Sequence, residues 1–303
     1  MSIFNEIVAK SIPFVPKAIV KRISSRYIAG ETVEQAIQRL QQLQDGGFAS
    51  TVDVLGESIA NFSQAEQTAD EYITVLDAIQ AHRLHDANIS VKPSALGLLL
   101  DERRCERTIE RLLSAAKDRG IFVRIDMENV SCTQKEIDLF QRLSARFDNV
   151  GLVLQAYLMR TYQDIEPLIQ SGANLRLCKG IYVEEAKHLV EGALKDRRAI
   201  NTHFLHHILS CFKAGTFVGI ATHDEDVVQK AIALAREMCV DPSKFEFQML
   251  LGVCEPLRDA VQRKGYKVRI YVPYGKDWYG YSTRRLNENP QIAGYLLKSL
   301  LSS

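Results

Sequence analysis

A (β/α)8 barrel is the fold this 303-residue sequence predicts, on three observations. Eight short β-rich apolar runs recur between residues 50 and 275, longer stretches with helical periodicity and charge separate them, and no nucleotide-binding glycine loop follows any run. Strand and helix in alternation mean βαβ units and a parallel sheet. Eight such units in about 250 residues match a closed barrel. A doubly wound open sheet is the competing α/β layout, but GxGxxG and GxxxxGKS/T are both missing.

Met1 to Ala29 alternates apolar residues (Ile3, Phe4, Ile7, Val8, Phe14, Val15, Ile19, Val20) with Lys10, Lys17, Lys21, Arg22 and Arg26. This amphipathic, cationic segment predicts a helix packed on the barrel, with a membrane-surface or partner-docking arm as the alternative. Gly30 and the capping box Thr32-x-x-Gln35 then open a new helix. The strands follow as Ser50 to Leu55, Asn88 to Lys92, Ile121 to Asp126, Val150 to Ala156, Asn174 to Lys179, Phe217 to Thr222, Phe245 to Leu250 and Val268 to Tyr271. IFVRID, VGLVLQAY and FVGIAT are apolar at nearly every position, as parallel strands buried on both faces should be. A last helix begins near Trp278. The chain thus divides into an N-terminal helical arm, residues 1–49, and one barrel domain, residues 50–303.

Composition narrows the function. Thirty-eight Lys and Arg against 37 Asp and Glu leave no basic field for nonspecific nucleic-acid binding. No apolar stretch approaches the roughly 18 residues needed to span a bilayer. The six cysteines stand singly without a CxxC pair, which predicts free thiols in a reducing cytoplasm.

In such a barrel the reactive groups stand at the C-terminal ends of the strands. Asp53 and Glu57, Lys92, Asp126 and Glu128, Gln155, Arg176 and Lys179, His223, Gln248 and Tyr271 fall there. Buried charge must be paired, so Lys92 and Asp126 predict opposite charges converging in one mouth. Lys92, Arg176 and Lys179 would attract an anion: a carboxylate, a phosphate or the electron-rich edge of a cofactor ring. Arg284 and Arg285, beside Tyr279 and Tyr281, suit a small organic or amino acid, although Arg284 and Glu288 also have the i,i+4 spacing of an ordinary helix ion pair. His203 and His207 have metal-capable spacing but no HExxH motif, so no metal is expected. A GxSxG nucleophile elbow is absent.

Taken in order, DVLGE (53–57), VKPS (91–94), RIDME (124–128), QAYL (155–158), RLCKGIY (176–182), ATHD (221–224), FEFQML (245–250), YVPYG (271–275) and YSTRRLNE (281–288) resemble the proline dehydrogenase family in its monofunctional bacterial form. The resemblance implies a distorted TIM-like barrel with a final helix over its mouth. It also implies noncovalent FAD, oxidation of L-proline to Δ1-pyrroline-5-carboxylate, and a membrane quinone as electron acceptor. Carried over by position, Lys92, Arg284 and Arg285 would hold the proline carboxylate, Glu288 would pair with Lys92, and Tyr271 and Tyr281 would wall the ring. Asp126 and Arg176 would belong to the catalytic centre. Met127, Gln155, Arg176, Lys179, Gly180, Ile181, Thr222 and His223 would contact the flavin or its phosphates.

The same resemblance implies a cytoplasmic protein, peripheral at the inner face of the membrane, with transient contact to pyrroline-5-carboxylate dehydrogenase. Two departures stand out. Asn287 to Asn289 replaces a more charged stretch, and Pro93 replaces an apolar residue such as Leu, removing a backbone donor directly after Lys92. A different strand end, bearing on substrate affinity, is expected there. The rival enzyme is a Schiff-base aldolase using Lys92 or Lys179. The rival outside catalysis is a barrel that binds a partner through its basic arm.

Overall fold

The computed structural model describes residues 20–21, 24–56 and 59–282. Eight parallel strands close in sequence order, with β8 returning to β1. They are β1 (Ala49–Val54), β2 (Ala87–Val91), β3 (Val123–Ile125), β4 (Val150–Gln155), β5 (Leu175–Cys178), β6 (Val218–Ala221), β7 (Phe245–Leu250) and β8 (Val268–Tyr274). All eight expected runs are strands. β8 continues three residues past the expected end because it closes the barrel, running in register with β1 from Ala49↔Arg269 to Val54↔Tyr274. Pro273 is tolerated in it because pairing with β7 has already stopped at Leu250↔Tyr271.

The outer layer holds α1 (Val33–Asp45), α2 (Phe62–Ala81), α3 (Glu102–Asp118), α4 (Val130–Ser144), α5 (Thr161–Gln170), α6 (Ile200–Ala214), α7 (Glu225–Glu237) and α8 (Glu255–Arg263). Side-chain caps start most of them: Thr32 with Gln35 in the expected capping box on α1, then Asn61, Asp101, Asn129 and Asp224 on α2, α3, α4 and α7. Helix α1 precedes β1 yet packs against both β1 and β8, so it fills the ring position at the closing seam. Ala36, Ile37, Leu40 and Leu43 enter the same core as the strands there, each large side chain contributing about 1.5–3 kcal/mol by burial.

Ahead of α1 the chain is tied to the end of β8. Ala29 N donates to Pro273 O and Gly275 N to Gly30 O, both at 2.9 Å, and the Ser24 hydroxyl bonds that of Ser282 at 2.6 Å. Most of the amphipathic arm, Glu57, the expected helix over the mouth beyond Ser282, and Arg284, Arg285 and Glu288 lie outside the described residues. Among the described residues no helix is long and apolar enough to cross a membrane. All six cysteines are free.

The three histidines of α6 surround Tyr162 on α5. Tyr162 Oη bonds His203 Nδ1 at 2.7 Å, and the His207 ring lies 4.6 Å from the tyrosine ring. His207 is fully buried with neither ring nitrogen hydrogen-bonded, and burial, then His206 and His203, push its pKa down to about 4. From its ordinary 6.5 down to about 4 the unfolded chain takes up a proton that folded His207 refuses. Its share of stability is therefore complete above 6.5 and lost on acidification through that window, by up to about 3 kcal/mol. His207→Phe should flatten this loss, which urea unfolding at several acidic pH values would measure; an unchanged pH slope would refute it.

Candidate active site

Parallel strands set side chains two apart on one face. Arg124 and Asp126, Glu246 and Gln248, and Arg269 and Tyr271 therefore come in same-face pairs. That face is the inside of the barrel, because Arg176 on β5 reaches Ser90 on β2, Asp126 past β3 and Gln248 on β7, which no path around the outside allows. The centre of the barrel is polar and ion-paired, and the apolar core lies between strands and helices.

At the mouth, Arg176 Nη1 donates to Asp126 Oδ1 at 2.8 Å and to Ser90 Oγ at 3.1 Å, and its Nε donates to Gln248 Oε1. Tyr271 Oη donates to the other Asp126 oxygen at 2.8 Å, while the guanidinium sits 5.5 Å from the Tyr271 ring centre. Burial first, then Asp126 and Asp53, push the Tyr271 phenol well above its ordinary range, so it stays a donor. Lys92 Nζ bonds both oxygens of Asp53 at 2.6 Å. Asp53 is completely buried; burial raises its pKa, against which Lys92 pulls down and Asp126 pushes further up. Lys92 and Asp126 do share the mouth, but the structure pairs them with Asp53 and Arg176 respectively.

Pro93 opens a short 3-10 helix, Pro93–Leu96, at a position where a helix start leaves its N–H unused. Its missing donor therefore breaks no bond. The turn is fixed instead by Glu128, whose carboxylate accepts from Ser94 N at 2.8 Å and from Ser94 Oγ. Glu128 N in turn donates to both oxygens of Glu136, at 3.1 and 3.2 Å. Burial, then Glu128, push the Glu136 carboxyl well above its ordinary pKa. Met127 is buried between these anchored neighbours.

Around β4, β5 and β6 the groups are donors and cations. Gln155 Nε2 donates to Glu128 O at 2.7 Å. Lys179 Nζ pairs with Asp224 Oδ2 at 2.6 Å, and Asn201 donates to the same oxygen at 3.1 Å. Gly180 turns the chain at φ +99°, and a Cβ there would fall 2.6 Å from Tyr157 Cζ, so only glycine fits. Arg197 Nη2 holds Gly180 O at 2.6 Å, and Tyr157 Oη holds Tyr182 O at 3.2 Å. Ile181 is thereby presented at the mouth, half-buried. Thr222 is buried, its hydroxyl accepting from Asp224 N at 3.1 Å. Leu250 N donates to His223 Nε2 at 2.9 Å, which puts the proton of the neutral imidazole on Nδ1.

Tyr281 is buried against Ile28, Leu55 and Trp278, on the side of the mouth where β1 ends. Ser90, Arg197, Asn201 and Asp224 are site residues that the strand-end pattern does not single out for a role, and Asp53, which it does name, is not matched there to Lys92. For Asp53 the signal was available, because Asp53↔Ser90 pairing sets Lys92 two residues further along the same face. Both lysines of the aldolase reading are tied to carboxylates, unlike the desolvated, unpaired lysine that a Schiff base requires.

Fold and site together define a (β/α)8-barrel enzyme with an ion-paired mouth that presents cations and donors. A family model described as proline dehydrogenase matches residues 36–296. The chain belongs to the proline dehydrogenase family. It is 35% identical over 293 residues to proline dehydrogenase 1 of Bacillus subtilis subsp. natto, covering 96% of this chain and 95% of that protein. It is 32% identical over 284 residues to proline dehydrogenase of Deinococcus radiodurans, covering 92% and 90%. The crystal structure of proline utilization A from Bdellovibrio bacteriovorus inactivated by N-propargylglycine shares the fold, with a TM-score of 0.80 at 20% identity over 87% of this chain and 32% of that one.

Proposed function

We propose that this protein oxidises L-proline to Δ1-pyrroline-5-carboxylate with noncovalent FAD and passes the electrons to a membrane quinone. The observation that carries the reading is the Arg176–Asp126–Tyr271 cluster inside the mouth, beside the Lys92–Asp53 pair. The donor set also fits the cofactor. Gln155, Arg176, Lys179, Thr222 and His223, with Gly180 and Ile181, line the ends of β4, β5 and β6, where a phosphate-bearing anionic group needs donors and positive charge. The chemistry supplied by bound FAD is two-electron acceptance, a hydride leaving the ring carbon beside nitrogen as that carbon–nitrogen bond becomes double.

The chain's own residues aim and hold. Lys92, with Arg284 and Arg285, binds the substrate carboxylate, and Glu288 and Asp53 balance Lys92. A carboxylate pinned at three cations fixes where the reacting carbon stands. Tyr271 and Tyr281 wall the ring and exclude larger imino acids. Asp126 orients both Arg176 and Tyr271, and Arg176 places positive charge where negative charge gathers on reduction. Met127, buried beside Glu128, would contact the bound cofactor. Residues 50–303 are taken as the catalytic barrel and residues 1–49 as the segment ahead of it, whose helix α1 covers the barrel's closing seam. The product is reactive, which favours transient contact with pyrroline-5-carboxylate dehydrogenase. Docking at the inner face of the membrane would bring the site to its quinone.

The visible spectrum of the purified protein tests this reading. A yellow flavin spectrum that bleaches on anaerobic addition of L-proline is expected. A colourless protein that takes up no added FAD would overturn it.

A further inference from the structure

Below Arg176 the barrel carries a second ion pair. Arg269 Nε and Nη2 donate to the two oxygens of Glu246, at 2.5 and 3.1 Å, and Arg269 Nη1 donates to Ser50 O and Asp86 O, both at 2.7 Å. Gln248 Nε2 donates to Glu246 Oε1 at 2.8 Å, and Gln248 Oε1 accepts from Arg176 Nε. A hydrogen-bonded line thus runs from the closed end of the barrel to the mouth: Arg269, Glu246, Gln248, Arg176, Asp126, Tyr271. Glu246 and Gln248 are both buried.

The direction of every bond in this line is dictated by chemistry. A guanidinium can only donate and a carboxylate can only accept. Glu246 therefore demands the amide NH2 of Gln248, which turns the amide oxygen, and nothing else, toward Arg176 Nε. Burial pushes the Glu246 carboxyl up, but Arg269 and the bonds from Arg269 and Gln248 outweigh it and hold Glu246 below the ordinary range, so it stays an acceptor. Space for the amide comes from Gly219 on β6, where a Cβ would fall 2.8 Å from Gln248 Cδ.

We infer that Glu246 and Gln248 are positioning residues for the reaction: Glu246 locks the Gln248 amide, and the amide aims the Arg176 guanidinium at the mouth. This rests on the proposed placement of Arg176 at the flavin. Without the amide oxygen, Arg176 keeps Asp126 and Ser90 on Nη1 but loses the acceptor on Nε that fixes the plane of the fork. The side-chain hydrogen bonds of Gln248 run to Arg176 and Glu246, and those of Glu246 to Gln248 and Arg269, so both act on the mouth through Arg176.

Gln248→Met preserves length and removes the acceptor. Gly219→Ala leaves every charge in place and pushes the amide aside, so it reports even where Gln248→Met does not fold. In either holoenzyme, anaerobic reduction of the flavin by L-proline should slow about tenfold, the loss of one charge-assisted hydrogen bond. The midpoint potential of the bound flavin should move negative, and the KM for proline should stay near its parent value. Adding Gln248→Met to Arg176→Met should slow reduction no further. Parental rate and potential in both single variants, or a slowing that multiplies with Arg176→Met, would overturn the inference while leaving the site reading intact. A parental rate in Arg176→Met itself would overturn both.

Discussion

Arg176→Met should reduce the rate of flavin reduction by L-proline about 100- to 1,000-fold while changing the proline concentration dependence little. The magnitude is that of removing a preorganised charge aimed at where charge develops. Preorganisation is visible in the contacts: the guanidinium is buried at 6% exposure and bonded to Gln248, Ser90 and Asp126 before any substrate arrives. No reorganisation is then needed as negative charge builds up. The substrate term should be spared because carboxylate binding is assigned to Lys92, Arg284 and Arg285. Stopped-flow absorbance under anaerobic conditions measures the rate, and a parental value would refute the role.

Arg176→Lys sharpens the same result. An ammonium keeps the charge but cannot present Nε to Gln248 and Nη1 to Asp126 in one plane. The lysine variant should therefore recover less than half of the lost activation free energy. Full recovery would mean that charge alone, without aim, suffices.

The barrel was legible because its strands carry a contradiction that only a closed, helix-covered sheet resolves. Their outward residues, such as Ile89, Ile125, Leu152, Leu177, Ile220 and Phe247, are fully buried apolar groups, whereas polar residues recur two apart between them. Charges that cannot face apolar helices must face inward, so Arg124, Asp126, Arg176, Glu246 and Arg269 could be placed inside from the two-residue period alone. Their partners could not. Arg176 meets residues on β2 and β7 and just past β3, and which heights face one another across a closed barrel depends on the stagger of all eight strands. No local pattern in the chain carries that stagger. The same limit hid the ring position of α1, since a helix before the first strand looks like an appendage until β8 closes onto β1 and leaves a seam for it to cover. The expectation that Lys92 meets Asp126 shows the local side of the problem. Both stand in one mouth, yet the adjacent-strand neighbour Asp53 lies nearer in register and takes the ammonium.

That pairing has a consequence for stability as well as for substrate binding. Lys92→Met should cost about 3 kcal/mol of folding stability near neutral pH and raise the proline KM about tenfold or more. The stability loss comes from Asp53, which is 0% exposed and would lose both bonds to its cation. Burial already raises the Asp53 pKa, Asp126 adds to the rise, and Lys92 is what pulls against them. With Lys92 removed, the folded-state pKa climbs further above the unfolded value near 3.8, so the folded protein binds a proton more tightly than the unfolded chain. Stability of the variant should therefore recover as pH falls from that raised pKa toward 3.8, and stay at its lowest, without further change from this group, above the raised pKa. Asp53→Asn in the Lys92→Met background removes the unpaired charge and should restore more than half of the lost stability. Proline binding should not return, because the proposed carboxylate anchor, Lys92, is still missing. Urea unfolding across pH, set beside steady-state kinetics, separates the two effects. A double variant no more stable than Lys92→Met would show that the buried carboxylate is not the source of the loss.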